Sequence, residues 1–463
     1  MADYQFNLTQ VMQATNAVLK KLTSAAVFGG VTTDTRKVEE GMLFVALKGE
    51  KFDGHDFIAQ AAQKGAIGAI VNKDYDVSLL EDVDIDILAV DDTLKAYQDL
   101  AKFWRSKFSI PVIGITGSNG KTTTKDLTAA VLSGKWNVLK TQANFNNEIG
   151  LPMTLLQLNK THDAAVVEMG MRGLGQIKAL TEIAKPTIGV ITNVGETHLE
   201  LLGTIENIAK AKSEMAQAIE INGKVILNAD DEHVAKMREV TKARAVYFGI
   251  NHMADVKAFD IKTVEGGRTE FEAIVGENTA HFTLNMLGIH NVYNCLAALA
   301  VGYACGLTIE EMQKGLASFK PTEMRFEYKK IGDFNIINDA YNASPMSTEA
   351  ALKNLAQVAQ GRKILVMGDM FELGSVEIAA HENVAQQAKQ AGVDVLITRG
   401  SLTKNTAHKA RELGIADVYE CESHEEAAAV LQKILQKGDT VLFKGSHGMH
   451  MEKIIELLEN EYK

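Results

Sequence analysis

The chain has 463 residues, of which 46% are apolar and 23% are charged, so it is long enough for about three ordinary globular domains. Its formal net charge of −11 argues against nonspecific binding to nucleic acid or to an anionic membrane surface. The three cysteines form no CxxC pair and no zinc pattern, and we find neither a secretion signal nor an apolar run of about 18 residues. We therefore expect a cytoplasmic protein without structural zinc or a membrane span.

The first hundred residues predict a small α/β unit. MLFVALKG (42–49) and AIGAIVN (66–72) are typical of strands, and FIAQAAQKG between them is typical of a short helix. A second helix is predicted from about Leu94 to Phe108. We place the first domain at residues 1–98.

Apolar strands then alternate with helices over residues 99–318. IPVIGIT, DAAVVEMG, PTIGVITNV and KVILNAD predict a mostly parallel sheet covered on both faces, and 254–275 alternates with period two, which predicts antiparallel strands. Residues 319–463 contain FNIINDAY, KILVMGD, DVLITRG and TVLFKGS, which predict a third, Rossmann-like sheet. The expected fold class is α/β with three domains and a central P-loop domain.

The clearest motif is a strand, a glycine-rich turn and a helix in IPVIGITGSNGKTTTKDLTAAVL. Glycines allow a tight turn whose N–H groups point at phosphate oxygens, and the helix N-terminus adds its dipole. Lys121 supplies a cation and the Thr122 hydroxyl can bind Mg²⁺. The loop lacks the first glycine of the usual GxxxxGK[ST] pattern, since Ile115 holds that position. We predict nucleotide binding by the residues Gly117, Ser118, Asn119, Gly120, Lys121, Thr122 and Thr123.

Two side chains are predicted at the same rim as this loop. Glu168 ends the apolar strand DAAVVE, and His198 follows the strand in ITNVGETHLE. Ligands of open α/β sheets bind at the carboxyl ends of the strands, where a carboxylate can bind Mg²⁺. A structural role is the alternative for His198.

Lys212 lies in the apolar stripe of a predicted helix, TIENIAKAKSEMAQAI, together with Ile205, Ile208, Met215 and Ile219. Its side chain either extends along the edge of the stripe to reach water, or is desolvated and reacts with CO₂ to form a carbamate. The pattern alone leaves both open.

These motifs together resemble the Mur ligase family over nearly the whole chain. The family's ATP loop is similar to GSNGKTTT, and its Glu and His for two Mg²⁺ ions and its carbamylated lysine correspond to Glu168, His198 and Lys212 in AKSE. LGIHNVYNCLAALAVG resembles the family's segment near adenine. The resemblance implies further ATP contacts at Asn291, Arg325 and Asp339.

Within the family, TQANFNNEIGLPMTLL, VVEMGMRGLGQI, NDAYNASPMS and GDMFELG resemble the ligase that adds D-alanyl-D-alanine to UDP-N-acetylmuramoyl-tripeptide. The N-terminal segment 31–57 is similar to the UDP-sugar-binding domain that this ligase shares with the tripeptide-forming one. His447 stands where relatives usually have Arg. The resemblance implies that the substrates contact Thr35, Arg36, Asp53, Gly54, His55, Asn144, Asn147, Tyr341 and Asn342.

The resemblance implies ATP-dependent formation of an acyl phosphate from the tripeptide carboxylate, followed by attack of the dipeptide amine, in cell-wall synthesis. We expect a monomer whose partners are these two substrates. The purely structural alternatives are a βα loop for DAYNASP and helix capping for the amides of NFNN (144–147). Another ligase of the family and a P-loop switch that uses ATP only to change shape are the alternative functions.

Overall fold

The computed structural model describes residues 5–23, 27–49, 52–197, 199–264, 268–320 and 326–462. Three large sheets follow one another along the chain, with helices packed on their faces. No helix in these ranges is both long and apolar enough to cross a lipid bilayer.

The first unit contains a five-stranded sheet in the order β2-β7-β6-β5-β4 and a two-stranded ribbon of β1 and β3. β4 to β7 run parallel, and β2 pairs antiparallel with β7 at the edge. The elements are β1 Phe6–Asn7, α1 Leu8–Thr15, β2 Val18–Lys21, β3 Val27–Phe28, β4 Val31–Thr32, β5 Leu43–Val45, α2 Ile58–Gln63, β6 Gly68–Asn72, β7 Asp86–Val90 and α3 Thr93–Arg105.

The second unit is built on a nine-stranded sheet in the order β16-β15-β14-β13-β12-β11-β8-β10-β9. The elements are β8 Val112–Thr116, α4 Lys121–Ser133, β9 Val138–Lys140, α5 Gly150–Leu155, β10 Ala164–Glu168, α6 Gln176–Ala184, β11 Ile188–Ile191, α7 Leu199–Leu202, α8 Ile205–Ala218, β12 Lys224–Asn228, α9 Glu232–Ala235, β13 Arg244–Gly249, β14 Val256–Val264, β15 Arg268–Val275, β16 Asn278–Leu284, α10 Ile289–Ala304 and α11 Ile309–Ala317.

The inner strands β8, β10 and β11 are buried along their whole length, because helices cover both faces of the sheet. One core contains the side chains that face α4, α10 and α11, and a second core contains those that face α3, α6 and α8. Strands covered on both sides read as continuous apolar runs, which is the pattern that the sequence shows. The predicted antiparallel segment is confirmed as β14 and β15, and β16 adds a third antiparallel strand beyond the predicted residues.

The third unit is a six-stranded sheet in the order β17-β18-β22-β19-β20-β21, parallel except for β17. The last strand in sequence, β22, lies between β18 and β19. The elements are β17 Glu327–Ile331, β18 Phe334–Asp339, α12 Pro345–Val358, β19 Lys363–Gly368, α13 Glu377–Gln390, β20 Val395–Arg399, α14 Thr403–Glu412, β21 Asp417–Cys421, α15 His424–Ile434, β22 Thr440–Lys444 and α16 Glu452–Glu461.

The predicted limits at 98 and 318 fall close to the joins between units. Residue 98 lies inside α3, which packs on helices of both the first and the second unit. The Phe319 side chain packs in the core of the second unit, and β17 begins at Glu327. The domain limits stay a prediction.

Candidate active site

A cavity of about 510 Å³ lies where the carboxyl ends of the central sheet face those of the third sheet. Its floor comes from the neighbouring strands β12, β11, β8 and β10, and its roof comes from the ends of β18 and β22 and the first turn of α12. Predicted residues that line it are Ser118, Asn119, Gly120, Lys121, Thr122, Thr123, Glu168, Asn291, Asp339, Tyr341 and Asn342.

The predicted phosphate loop connects β8 to α4, and both of its glycines are needed for its path. Gly117 has φ +152°, and a Cβ there would lie 1.9 Å from the Thr192 Oγ1. Gly120 has φ +79°, and its Cβ would lie 2.3 Å from the Asn294 Oδ1. A side chain at either position would therefore strain the backbone and would have to push the Thr192 or Asn294 side chain aside.

Polar side chains after β11 hold the loop in place. The Asn119 N–H donates to the Asn193 Oδ1 at 2.9 Å, and the Asn193 Nδ2 donates to the Asn119 carbonyl at 3.0 Å. The Ser118 hydroxyl exchanges hydrogen bonds with the backbone of Gly195 at 2.8 and 3.0 Å. The loop is thus preorganised by the protein.

Lys121 and Thr122 open α4, so the positive end of a 13-residue helix points at the loop. The Lys121 ammonium donates to the carbonyls of Gly117 and Ser118 at 2.8 and 3.1 Å. It therefore lies over the turn that the sequence assigns to phosphates. Thr122 and Thr123 are both buried in this first turn.

Glu168 ends β10 as predicted, and its side chain is only 2% exposed. Its Oε1 accepts a hydrogen bond from the Asn146 Nδ2 at 2.8 Å. Its Oε2 is buried and has no hydrogen-bond partner within the described ranges. A buried carboxylate oxygen without a donor is costly unless a cation or a ligand donor reaches it.

Lys212 lies on the buried face of α8 and is 1% exposed, so its ammonium does not reach water. The interpretation of Lys212 as a residue at the edge of the stripe is therefore wrong. Burial, reinforced by the charge of Lys121, holds the pKa of Lys212 well below its usual range. This burial favours the neutral form of the amine. The Lys212 side chain does not line the cavity itself.

The roof of the cavity contributes an ion pair between Asp339, which the sequence analysis predicted, and Lys444, which it did not. The Lys444 side chain is 1% exposed, and its Nζ lies 2.5 Å from the Asp339 Oδ2 and 3.1 Å from the Asn342 carbonyl. Asp339 also accepts from the Phe326 N–H at 3.2 Å. Tyr341 lies against His447, with ring centroids 5.3 Å apart.

His290 and Asn291 begin α10 at the boundary between the second and third units. The Asn291 side chain donates to the Leu287 carbonyl at 2.8 Å and accepts from Asn294 at 3.1 Å. Burial lowers the pKa of His290 to about 4, and the charge of Lys444 adds to this while Asp339 opposes it. His290 is therefore neutral at pH 7.

A second acidic group, Asp230, lines the cavity after β12. Burial opposes its charge, but N–H groups of residues 250–252 and the Tyr293 hydroxyl, all within 2.9 Å, outweigh burial and hold its pKa well below its usual range. Burial and the same bond raise the pKa of Tyr293. Asp230 is thus a fixed negative charge.

Three family models match the chain in sequence order. They are the Mur ligase family catalytic domain over residues 27–105, the Mur ligase middle domain over 115–302 and the Mur ligase glutamate ligase domain over 324–447. The chain is 40% identical over 441 residues to the UDP-N-acetylmuramoyl-tripeptide--D-alanyl-D-alanine ligase of Bacillus subtilis (strain 168), covering 94% of each chain.

The chain belongs to the Mur ligase family.

Two solved Mur ligases share its fold. The crystal structure of MurF from Acinetobacter baumannii superposes with a TM-score of 0.91 at 32% identity, covering 99% of this chain and 100% of the other. MurF ligase from Thermotoga maritima in complex with ADP superposes with a TM-score of 0.83 at 30% identity, covering 94% and 97%. The predicted fold class is confirmed.

The residues predicted for the sugar nucleotide lie away from the cavity, at the join of the first two units. Thr35 and Arg36 are in a 3₁₀ turn, and Arg36 is paired with Asp34 at 2.8 Å. Lys37 of the same turn lies 5.8 Å from the centre of the Phe145 ring, between Asn144 and Asn147. The fold therefore brings this turn to the NFNN segment.

Asp53, Gly54 and His55 form a second turn whose polar groups bind each other. The His55 Nδ1 lies 2.6 Å from the Asp53 Oδ1, and its Nε2 accepts from the Asn72 N–H at 3.0 Å. Both ring nitrogens are thus used within the first unit. Asn147 likewise accepts from the Gly150 N–H at 2.9 Å, which is the helix-capping alternative for this amide.

Two predicted residues, His198 and Arg325, lie outside the described residues. Among the described side chains no group of three or more His, Cys, Asp or Glu could hold a metal ion. Mg²⁺ on a nucleotide commonly uses one or two protein carboxylates together with phosphate oxygens and water. The roles predicted for individual site residues stay predictions.

The Mur ligase site also contains residues that the sequence analysis missed, namely Asp230, Tyr293, Ser344 and Lys444. Asp230 follows β12 and Lys444 ends β22, so the rule that selected Glu168 could have found them. Tyr293 and Ser344 carried no local signal, because their partners are distant in sequence. Asn146 was predicted only as one amide of the NFNN segment, and its partner is Glu168.

Proposed function

We propose that this chain uses ATP to join D-alanyl-D-alanine to UDP-N-acetylmuramoyl-tripeptide. The observation that carries the proposal is the cavity between two facing sets of strand ends, with a phosphate loop on one side and the Asp339–Lys444 pair on the other. The full-length similarity to ligases named for this reaction supports the choice of substrates.

In the proposed reaction, a terminal carboxylate oxygen of the tripeptide attacks the γ-phosphorus of ATP, and ADP leaves. The dipeptide amine then attacks the carbonyl carbon of the acyl phosphate, loses a proton, and phosphate leaves as the amide forms. The N-terminus of α4 and Lys121 stabilise the phosphate charge, and Asp339 and Lys444 hold the nucleotide from the third unit.

Mg²⁺ fits the cavity floor, since the Glu168 Oε2 is buried without a partner in the described part of the chain and the Thr122 hydroxyl belongs to the same cavity lining. Glu168 and Thr122 would hold the ion, with His198 as the third predicted ligand. When bound, the ion neutralises phosphate charge and so makes the phosphorus easier to attack. We propose that the site binds two Mg²⁺ ions.

Lys212 is proposed to carry a carbamate. Burial lowers the pKa of Lys212 and so favours its neutral amine, which can add to CO₂ with loss of a proton. Lys121, the charge that lowers the Lys212 pKa, would stabilise the resulting anion. The modified side chain would then present a carboxylate toward the floor of the site.

We propose that the sugar nucleotide lies between the first two units, across the turn with Thr35 and Arg36 and the NFNN segment. Arg36 is exposed there and can offer a guanidinium to a diphosphate. His55 and Asp53 fix the adjoining turn. We also propose the cytoplasm as the compartment, since ATP is a substrate.

The decisive experiment incubates the protein with ATP, D-alanyl-D-alanine and UDP-tripeptides ending in lysine or in diaminopimelate. We expect one amide product by mass spectrometry and one phosphate released for each product. Phosphate release without an amide product, or ATP binding without turnover, would contradict the ligase and support the P-loop switch. A product from a single free amino acid would indicate another ligase of the family.

The carbamate is tested with three variants of α8. Lys212→Ala should be nearly inactive and partly restored by acetate, whereas Lys212→Arg should stay inactive, because it keeps a positive charge where a negative one is needed. Lys210→Ala, an exposed position on the same helix, is the control and should retain full turnover. A fully active Lys212→Arg variant excludes the carbamate.

A further inference from the structure

The first turn of α12 touches the phosphate loop directly. Ser344 is the N-cap of α12 and accepts from the Ser347 N–H at 3.3 Å. The same hydroxyl lies within donating distance of two acceptors, the Asn119 Oδ1 at 3.2 Å, across 225 positions of sequence, and the Ser347 Oγ at 3.1 Å. Ser344 is 6% exposed, so this contact is shielded from water. One hydroxyl therefore both caps a helix of the third unit and contacts the loop of the second.

Asn119 has its backbone fixed and its side chain left facing the cavity. Its N–H and carbonyl are bound by Asn193, and its carbonyl also accepts from the Thr192 Oγ1 at 2.7 Å. Its Nδ2 is buried and has no hydrogen-bond partner among the residues that the structure describes. A buried amide N–H₂ in a phosphate loop requires an acceptor, and a nucleotide phosphate oxygen supplies one.

The Asn119 side-chain amide has a donor, Nδ2, and an acceptor, Oδ1. A ligand that binds one of them therefore determines which of the two faces Ser344. With Nδ2 directed at a phosphate, Oδ1 must face away and can accept from Ser344. In the flipped orientation, Oδ1 would face the anionic phosphates and Nδ2 would face the Ser344 hydroxyl. Because like charge disfavours the flipped form, nucleotide in the loop selects the orientation seen here.

We infer that Ser344 is a positioning residue that couples nucleotide in the phosphate loop to the placement of α12, through Asn119. The inference rests on the proposed function for its ligand, ATP. α12 follows the β18 end that carries Asp339, so docking of α12 also places the Asp339–Lys444 pair over the cavity.

Two further polar bridges between these units are of a different kind. The Asn354 Nδ2 of α12 lies 3.3 Å from the His290 Nδ1, and neither residue belongs to the phosphate loop. Arg172 and Glu372 lie 3.3 Å apart, but their side chains are 72% and 40% exposed. Exposed ion pairs contribute little, because water and salt screen them. The buried Ser344 contact, which reports on the loop itself, is the one suited to couple ligand and docking.

The test compares ATP-dependent phosphate release, with both other substrates saturating, in three variants. Ser344→Ala should lower kcat/KM for ATP by about 3- to 10-fold, the range expected for one buried neutral hydrogen bond. Ser344→Thr keeps both bonds and should stay within about twofold. Ser423→Ala removes an equivalent N-cap of α15, outside the cavity lining, and should also stay within about twofold. Thermal unfolding checks that both alanine variants remain folded.

A double-mutant cycle with Asn119→Ala separates coupling from local stability. If Ser344 acts through Asn119, then Ser344→Ala has no further effect on kcat/KM in the Asn119→Ala background. Equal effects in both backgrounds, or equal losses in Ser344→Ala and Ser423→Ala, overturn the inference. If the parent forms no amide product, the proposed function fails on its own. The same cycle is then read from the Kd for Mg·ATP by calorimetry, where non-additivity supports the coupling and additivity overturns it.

Discussion

The central cavity and the N-terminal turns both carry residues implied by the family resemblance, but they use these residues differently. In the cavity, Glu168 keeps one buried oxygen without a protein partner in the described ranges. In the N-terminal turns, both ring nitrogens of His55 form hydrogen bonds, one with Asp53 and one with Asn72. The resemblance marks a position as important, whereas the hydrogen-bond partners indicate whether the side chain serves the ligand or the fold.

The largest effect should come from the cavity. We expect Lys121→Ala and Glu168→Gln each to lower kcat by about 10²–10³, because Lys121 supplies positive charge to the reacting phosphate and Glu168 is proposed to hold the Mg²⁺ that does the same. Circular dichroism should show an intact fold in both. Glu182→Gln, an exposed carboxylate on α6, is the control. Near-parent turnover in a folded Lys121 or Glu168 variant would remove that residue from the mechanism.

An effect of intermediate size separates the two N-terminal turns. His55→Ala leaves the Asn72 N–H and the Asp53 carboxylate without their partner and should lower the free energy of unfolding by about 1–3 kcal/mol, as measured by denaturant titration. At saturating substrate its kcat should be close to that of the parent. A large loss of kcat with unchanged stability would show that His55 serves the ligand after all.

Arg36→Ala should behave in the opposite way. The side chain is 85% exposed and paired with Asp34, so stability should change by less than about 0.5 kcal/mol. Loss of a charged contact to the diphosphate should instead raise KM for the sugar nucleotide by about 10-fold or more. An unchanged KM would place the diphosphate elsewhere.

An effect that is absent at neutral pH concerns His290 at the boundary of the cavity. Its pKa is lowered to about 4 in the folded chain, whereas the unfolded chain takes up the proton near pH 6.5. The stability that depends on neutral His290 is therefore present above pH 6.5 and is lost as pH falls toward 4.

Between these values, the loss should approach about 1.4 kcal/mol per pH unit at most. His290→Asn should flatten this part of the stability curve, measured as unfolding free energy against pH. Parallel curves for parent and His290→Asn would contradict the lowered pKa.

The sequence predicted what is local in this molecule. The phosphate loop, Glu168 at a strand end and Lys212 in an apolar stripe each depend on neighbours within a few residues, and their predicted strands and helix are observed. Periodicity also predicted the antiparallel strands β14 and β15. Such features follow from spacing alone.

The rest depends on contacts between distant segments. Asp230 meets Tyr293 across 63 positions and Asp339 meets Lys444 across 105. Neither pair is visible until the strand order is known, because the order decides which loop ends meet. The resemblance implies that His55 contacts the substrate, and the fold adds partners for both of its ring nitrogens, so its role stays a prediction.

The place of β22 in the third sheet has a consequence for how the protein is made. β18 and β19 do not pair with each other, since each pairs with β22, which the ribosome makes last of the six strands. The first two units can fold while the chain is still being synthesised, as domains commonly do. The third sheet stays split until β22 is available. The phosphate loop of a nascent chain can therefore form before Lys444, on the opposite side of the cavity, has been synthesised. Ribosome-bound chains that stop before β22 should therefore bind chaperones through the open halves of this sheet.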